Sequence, residues 1–368
     1  MNTPPFDIFL VATPGLEAPL ADEARAAGFS LATITDGGVT FPGSWPDVWR
    51  ANLVLRGATR VLARIASFRA MHLAQLDKRA RKLPWAELLR PDIPVHVEAS
   101  CKRSRIYHAG AAAQRVATAI SEELGAPIAE DAVLRIMVRI EDDLVTISID
   151  TSGESLHKRG FKEGVAKAPM RETMAAMFLA RCGYTGTEPV LDPMCGSGTF
   201  VIEAAEIALG LQPGRERSFA FEQLPGFNAK AWTELRKPAA PTPTAMRFFG
   251  FDRDPGAIRM ASENAARAGV SDCTSFAQQS IEDLTPPEGP PGLVIVNPPY
   301  GTRVGEKGPL IGLHRTLGTV LKTRFSGWRV GIVTADRQLA QATGLGFEPP
   351  LPPVLHGGIR VGLYRSRL

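Results

Sequence analysis

Apolar and polar positions change period several times along this chain, and each change marks an element. Residues 6–12 (FDIFLVA) read as a strand, and after the turn Thr13-Pro14-Gly15 residues 15–27 place Leu16, Leu20 and Ala24 on one helical face. Short strands near 31–35 and 38–41 flank Asp36-Gly37-Gly38, a hairpin signal, followed by a helix near 44–53 and a strand near 59–68. The order β-α-β-β-α-β is the split βαβ, or ferredoxin-like, pattern.

A second small α/β unit is predicted next. Residues 71–90 read as one basic helix carrying Lys78, Arg79, Arg81 and Lys82 and ending near Pro91 and Pro94. A strand at 94–99, a helix at about 109–124, and strands at 133–140 and 144–150 around Glu141-Asp142-Asp143 complete it. Beyond a polar connector at 151–168 and a helix at 170–182, short apolar strands alternate with helices, as in a doubly wound parallel sheet. Strands are expected near 189–192, 247–252, 274–278, 293–297, 329–334 and 359–366, with 213–244 as a loop-rich insertion.

Composition narrows the class. The chain has 368 residues, 44% hydrophobic and 22% charged, which suits two or three globular domains. No apolar run reaches membrane-spanning length, and the N-terminus MNTPPFDIFLVATPG has neither a basic leader region nor a small-residue cleavage site, so a cytoplasmic protein is expected. Cys101, Cys182, Cys195 and Cys273 form no CxxC pair, which argues against structural zinc, an iron–sulfur cluster or disulfides; no metal is expected. The net charge of +4 is unevenly placed: between Arg50 and Arg115 stand 14 Lys/Arg against 4 Asp/Glu. Such a block suits a phosphate-facing surface, although a solvated basic face is common in soluble proteins.

The candidate chemistry lies further on. In Leu191-Asp192-Pro193-Met194-Cys195-Gly196-Ser197-Gly198-Thr199, a strand hands over to a helix through a GxG turn. Glycines there admit a ligand close to the backbone, and the helix start offers unpaired amides. A third fingerprint glycine and a GK[ST] signature are both absent, so a triphosphate loop is not expected. Asp192 suits the ammonium of a methionine moiety. In the next strand, Gly250-Phe251-Asp252-Arg253-Asp254 supplies an acid able to accept two ribose hydroxyls, Asp252 first and Asp254 second; a plain helix cap is the alternative.

About a hundred residues after the turn, Asn297-Pro298-Pro299-Tyr300-Gly301 follows the apolar run Val294-Ile295-Val296. The Asn297 side-chain oxygen and the Pro298 carbonyl can each accept one N–H of a conjugated amine, freeing its lone pair, while Tyr300 offers a face for an extruded base. The paired strings suggest methyl transfer from S-adenosyl-L-methionine to the exocyclic amine of a base. The alternative is a rigid loop whose Asn caps a helix and whose Tyr fills core.

Taken together, these strings resemble those of the THUMP-domain class I methyltransferases that modify guanine N2 in RNA, above all the N-terminal methyltransferase half of the 23S ribosomal RNA enzymes of that family. His157-Lys158-Arg159-Gly160-Phe161, Ala168-Pro169-Met170-Arg171-Glu172-Thr173, Ile202-Glu203-Ala204-Ala205 and Phe325-Ser326-Gly327-Trp328 carry the likeness over nearly the whole chain. It implies a ferredoxin-like domain over 1–68, a THUMP RNA-binding domain over 69–155, and a Rossmann-like methyltransferase domain over 156–368, its seven-stranded sheet ending in an antiparallel strand. It also implies Asp192, Gly196, Gly198, Thr199 and Asp252 as cofactor residues, and Asn297, Pro298 and Tyr300 as the target-amine site; Pro193 and Cys195 of the turn and Asp254 are further cofactor candidates.

Two departures stand out. The acid usually found after the third strand is replaced by Ser280, with Asp283 as the other candidate for the cofactor adenine. The chain also stops after one catalytic domain, so a second modification by a fused domain is not expected. Lys78, Arg79, Lys102, Arg103, Arg105, Lys158 and Arg159 are the expected RNA contacts, ribosomal RNA or its precursor first and tRNA second. The alternatives are a tRNA guanine-N2 enzyme, an adenine-N6 methyltransferase, and a catalytically silent RNA-binding assembly factor.

Overall fold

The alternating run near the N-terminus forms β1 (Phe6–Val11), with Ile8, Phe9 and Leu10 buried. The computed structural model describes residues 5–163, 170–237, 244–300 and 307–368. After β1 come α1 (Glu17–Ala26), β2 (Thr33–Thr35), β3 (Gly38–Gly43), α2 (Trp45–Val54) and β4 (Arg60–Arg69). β1 lies antiparallel between β3 and β4, the ferredoxin-like arrangement. The β2–β3 hairpin turns on Asp36-Gly37, where Gly37 at φ +78° takes the left-handed conformation open to glycine without strain.

The sheet does not end there. β4 pairs antiparallel with β7 (Leu144–Asp150), which pairs with β6 (Leu134–Glu141), itself parallel to β5 (Val95–Lys102). One seven-stranded sheet of order β2-β3-β1-β4-β7-β6-β5 results. Its helices are α3 (Leu73–Ala80), α4 (Trp85–Leu88) and α5 (Ala109–Leu124). The single helix expected over 71–90 is thus broken in two, because Pro84 lacks an N–H and disfavours helical geometry at Leu83.

The remaining elements are α6 (Glu172–Arg181), β8 (Val190–Asp192), α7 (Thr199–Ala208), α8 (Ala229–Arg236), β9 (Phe248–Asp252), α9 (Pro255–Ala268), β10 (Thr274–Gln278), β11 (Leu293–Val296), α10 (Lys307–Arg324), β12 (Arg329–Thr334), α11 (Arg337–Ala342), β13 (Val354–His356) and β14 (Ile359–Arg367). Their sheet has the order β10-β9-β8-β11-β12-β14-β13. β8 to β12 run parallel, and β14 is antiparallel to both β12 and β13. This is the Rossmann-like class I methyltransferase sheet. Val294, Val296, Val330 and Ile332 are buried against Leu317, Leu321 and Phe325 of α10 and its exit. The strand order reverses between β8 and β11, the switch point at which open α/β sheets hold ligands.

The two compact units are not contiguous in sequence. One gathers the stretch up to Ala12, Ala21–Leu156 and Arg217–Lys237; the other holds Thr13–Leu20, His157–Glu216 and the chain beyond Lys237. Part of the expected insertion therefore belongs to the first unit. It brings Phe221 and Trp232 to Trp49 of α2: the Trp49 and Phe221 rings stack at 6.0 Å, and Phe221 meets Trp232 edge-on at 5.0 Å. Such ring pairs add about 0.5–1.5 kcal/mol each beyond their burial.

Candidate active site

β8 delivers Asp192 to the carboxyl edge of the sheet, 2% exposed. Burial pushes its carboxyl up to about 8; the Met194 amide, donating to Oδ1 at 3.0 Å, opposes this and the neighbouring Asp252 charge adds to it. The chain then turns through Gly196 (φ +52°) and Gly198 (φ +83°), and Gly198 is the residue from which α7 starts. That left-handed geometry explains the glycine at 198.

The turn is stitched to β9. Cys195 N donates to Phe251 O at 2.8 Å, and Gly196 N donates to Asp252 Oδ2 at 3.0 Å. Asp252 Oδ1 accepts from Asp254 N at 3.0 Å. Each Asp252 oxygen keeps a further lone pair, so the carboxylate can still accept two hydroxyls. Asp254 caps α9, accepting from Gly256 N at 2.8 Å, so the plain cap reading describes it. At the tip of β10, Ser280 Oγ donates to Asp283 Oδ2 at 2.8 Å, so the two candidates for the adenine contact form one pair.

Asp192, Asp252 and Ser280 thus follow three neighbouring parallel strands, each at its C-terminal end. Pro193 and the Cys195 side chain are buried, and burial raises the Cys195 thiol far above its ordinary value. A Cβ on Gly250 would stand 3.0 Å from that sulfur, so the thiol packs over β9.

On the other side of β8, Asn297 follows β11, with Val294 opposite Leu191 in parallel register. The two strings therefore leave adjacent strands at the same edge of the sheet. Asn297 Oδ1 is buried and accepts no hydrogen bond among the described residues. An unpaired buried carbonyl costs about 1–3 kcal/mol, a cost that an N–H donor on a bound amine would relieve. Pro298 is buried and Tyr300 half-buried, its phenol raised by burial. Gly301, like Ala168 and Pro169 of the earlier string, lies outside the described residues.

Sequence reading missed one contact of the cofactor turn. Lys162 Nζ donates to Thr199 Oγ1 at 2.9 Å and pairs with the Glu172 carboxylate at 2.9 Å, all three lining a small cavity with Ser197. A polar Lys-Glu pair within the strings FKEG and MRET was the available signal.

The expected RNA contacts divide. Arg159 is 2% exposed and paired with Glu203 of α7 at 3.1 Å, so the reading of it as a phosphate contact is corrected: a buried guanidinium holding a helix cannot also face solvent. Lys158 is exposed. Lys102 and Arg103 are exposed but paired with Glu141, and Arg103 also with Asp142. Lys78, Arg79 and Arg105 have no carboxylate within ion-pair distance among the described residues. Lys78 and Arg79 line a groove with Arg69 and Lys82.

The site fits S-adenosyl-L-methionine on its own terms. A buried Asp192 with one amide donor is stabilised as a carboxylate by an ammonium, and Asp252 can take a diol. When bound, that group supplies a methyl on a positively charged sulfur.

Comparison with known proteins agrees. Residues 7–62 match a model described as the RlmL ferredoxin-like domain, and residues 159–346 match one described as RMKL-like, methyltransferase domain. The chain is 37% identical over 361 residues to the ribosomal RNA large subunit methyltransferase K/L of Syntrophotalea carbinolica, covering 93% of this chain and 51% of that protein. It is 32% identical over 344 residues to the protein of that name from Vibrio campbellii, covering 89% and 49%. The chain spans about half the length of these curated relatives. Among solved structures, a predicted N6-adenine-specific DNA methylase from Listeria monocytogenes superposes with a TM-score of 0.90 at 30% identity, covering 99% of this chain and 96% of that one. A putative methyltransferase complexed with S-adenosylhomocysteine gives 0.88 at 27% identity, covering 99% and 98%. S-adenosyl-L-methionine is accordingly the methyl donor of this fold, and the chain belongs to the family of RMKL-like methyltransferase domains.

Proposed function

We propose that this protein transfers a methyl group from S-adenosyl-L-methionine to the exocyclic N2 amine of a guanine in 23S ribosomal RNA. The observation that carries the reading is the buried Asn297 Oδ1, without a hydrogen-bond partner among the described residues, at the strand end next to the cofactor turn. A conjugated amine is a weak nucleophile because its lone pair is shared with the ring. Asn297 Oδ1 accepts one N–H and the Pro298 carbonyl the other, which localises the lone pair. Tyr300 stacks on the extruded base, and the proline pair fixes the turn. Most of the rate gain is then positioning within near-attack distance. The RNA assignment is supported by the names of the K/L relatives and by the cationic groove of Arg69, Lys78, Arg79 and Lys82 in the stretch 69–155, read as THUMP-type.

A second reading, transfer to adenine N6, is favoured by the description of the Listeria structure and by the same pair of acceptors. Tritium transfer from labelled cofactor to bulk ribosomal RNA, tRNA and DNA, followed by nucleoside digestion, decides. Label in N2-methylguanosine from ribosomal RNA is expected. Label in N6-methyladenine, in tRNA alone or nowhere overturns the proposal, the last in favour of a silent RNA-binding factor.

A further inference from the structure

The first unit holds a feature that the proposed reaction leaves unused. Arg69, Met71, Gln75, Lys78, Arg79 and Lys82 line a groove of about 550 Å³, within the range of pockets that hold a small-molecule-sized group. Four of the six are cations and none is an acid. The contrast with Arg81 on the same stretch is sharp: Asp77, Glu122 and Glu123 all hold it. Lys78, Arg79 and Lys82 have no such partner among the described residues. The groove is therefore charged by arrangement and not merely by local composition.

Two residues beyond Arg105, which touches the groove wall, stands Tyr107, 84% exposed, the most exposed large side chain among the apolar and aromatic residues described. Its loop is anchored on both sides. Ile106 is buried, and His108 Nδ1 accepts from Ala111 N at 3.0 Å as the cap of α5. Arg105 N donates to Asp143 Oδ1 at 2.7 Å, and Arg105 Nη1 reaches Met71 Sδ, on the groove wall, at 3.3 Å. Met71 is itself 38% exposed. A loop anchored by these contacts, and joined to the groove wall through Arg105, thus carries an aromatic ring in water. Stacked bases offer that ring no face in a duplex, whereas an unpaired base does, at about 1–3 kcal/mol per stacked base.

We infer that this groove takes an unpaired stretch of RNA, its phosphates running along Lys78, Arg79 and Lys82 and one base stacked on Tyr107. The inference rests on the RNA reading above and specifies how the first unit selects its substrate.

The test measures binding of the full chain to a short unstructured RNA oligonucleotide and to a blunt duplex of the same sequence, by fluorescence anisotropy. Tyr107→Ala should weaken the single strand about tenfold and leave the duplex unchanged, while Tyr107→Phe, which keeps the ring, should bind as the native chain does. Lys78→Glu with Lys82→Glu should weaken binding and flatten its salt dependence. Unchanged single-strand affinity in Tyr107→Ala, or an equal loss on both RNAs, overturns the inference while leaving methyl transfer to bulk RNA intact. Competition by polyglutamate as strong as by RNA assigns the groove to an acidic partner and overturns it as well. A native chain that binds neither RNA and transfers no label takes the underlying RNA reading down with it.

Discussion

Gly196 donates its amide to the Asp252 carboxylate across 3.0 Å, which ties the glycine turn after β8 to the tip of β9. The residue expected to grip the ribose is therefore also the residue that shapes the turn. Asp252→Ala should weaken S-adenosylhomocysteine binding by more than tenfold and also cost about 1–3 kcal/mol of stability. Calorimetric titration and denaturant unfolding read the two effects; weakened binding with native stability would leave the turn independent of this carboxylate.

Asp192 sets a pH dependence. Burial holds its folded carboxyl up to about 8 against 3.8 for an ordinary aspartate, so in the free protein it contributes stability present below the unfolded value and lost as pH rises through about 8. Binding a cofactor ammonium needs the charged form, so affinity should rise with pH from about 6 to about 8 and then level off. Titrations in buffers of different ionisation enthalpy should show proton release in the native chain and less in Asp192→Asn, which also binds more weakly. Identical proton release in both would move the ammonium elsewhere.

Removing the unpaired acceptor should separate chemistry from binding. Asn297→Ala is expected to lower kcat by at least about a hundredfold while cofactor affinity stays within a few-fold. Loss of cofactor binding instead would give Asn297 a structural role.

The buried Arg159–Glu203 pair, each side chain 1% exposed, should behave as packing. Arg159→Met leaves Glu203 short of a partner and should cost about 3–5 kcal/mol, whereas Arg159→Met with Glu203→Leu should recover part of it. The salt dependence of RNA binding should not change in the double variant. A flatter slope would restore Arg159 as a phosphate contact.

Basic residues with and without acidic partners should differ in function. Lys78→Glu with Arg79→Glu should reduce the slope of log affinity against log salt by about 0.7–0.9 per lost contact. Lys102→Glu with Arg103→Glu should reduce it less, because both residues already face Glu141. Equal effects from the two pairs would make the whole basic face one surface.

The cofactor turn and the Asn297 string were legible because their signals are local: an apolar run, glycines at a strand end, a rigid proline pair. Their meeting at one sheet edge followed from parallel order alone. Burial of Arg159 was not legible, since its partner Glu203 stands 44 residues away in a helix whose neighbours are apolar. The charge excess between Arg50 and Arg115 was overstated for a similar reason. Glu141 and Asp142, which neutralise Lys102 and Arg103, lie beyond that window on the β6–β7 hairpin. β13 escaped notice because three residues, only one of them buried, carry no periodicity. The helix break at Pro84 was readable, but the basic run Lys78–Lys82 just before it drew the stretch together as one helix.

The non-contiguous make-up of the two units limits how this molecule can be dissected. A cut after Leu156 would strip Arg217–Lys237 from the N-terminal piece and leave the Trp49 ring without Phe221, a wide oily facet suddenly wet. The C-terminal piece from the same cut would lack Thr13–Leu20. No single scissor stroke yields two whole parts, so recombinant fragments are best designed as grafts that carry the wandering segment along.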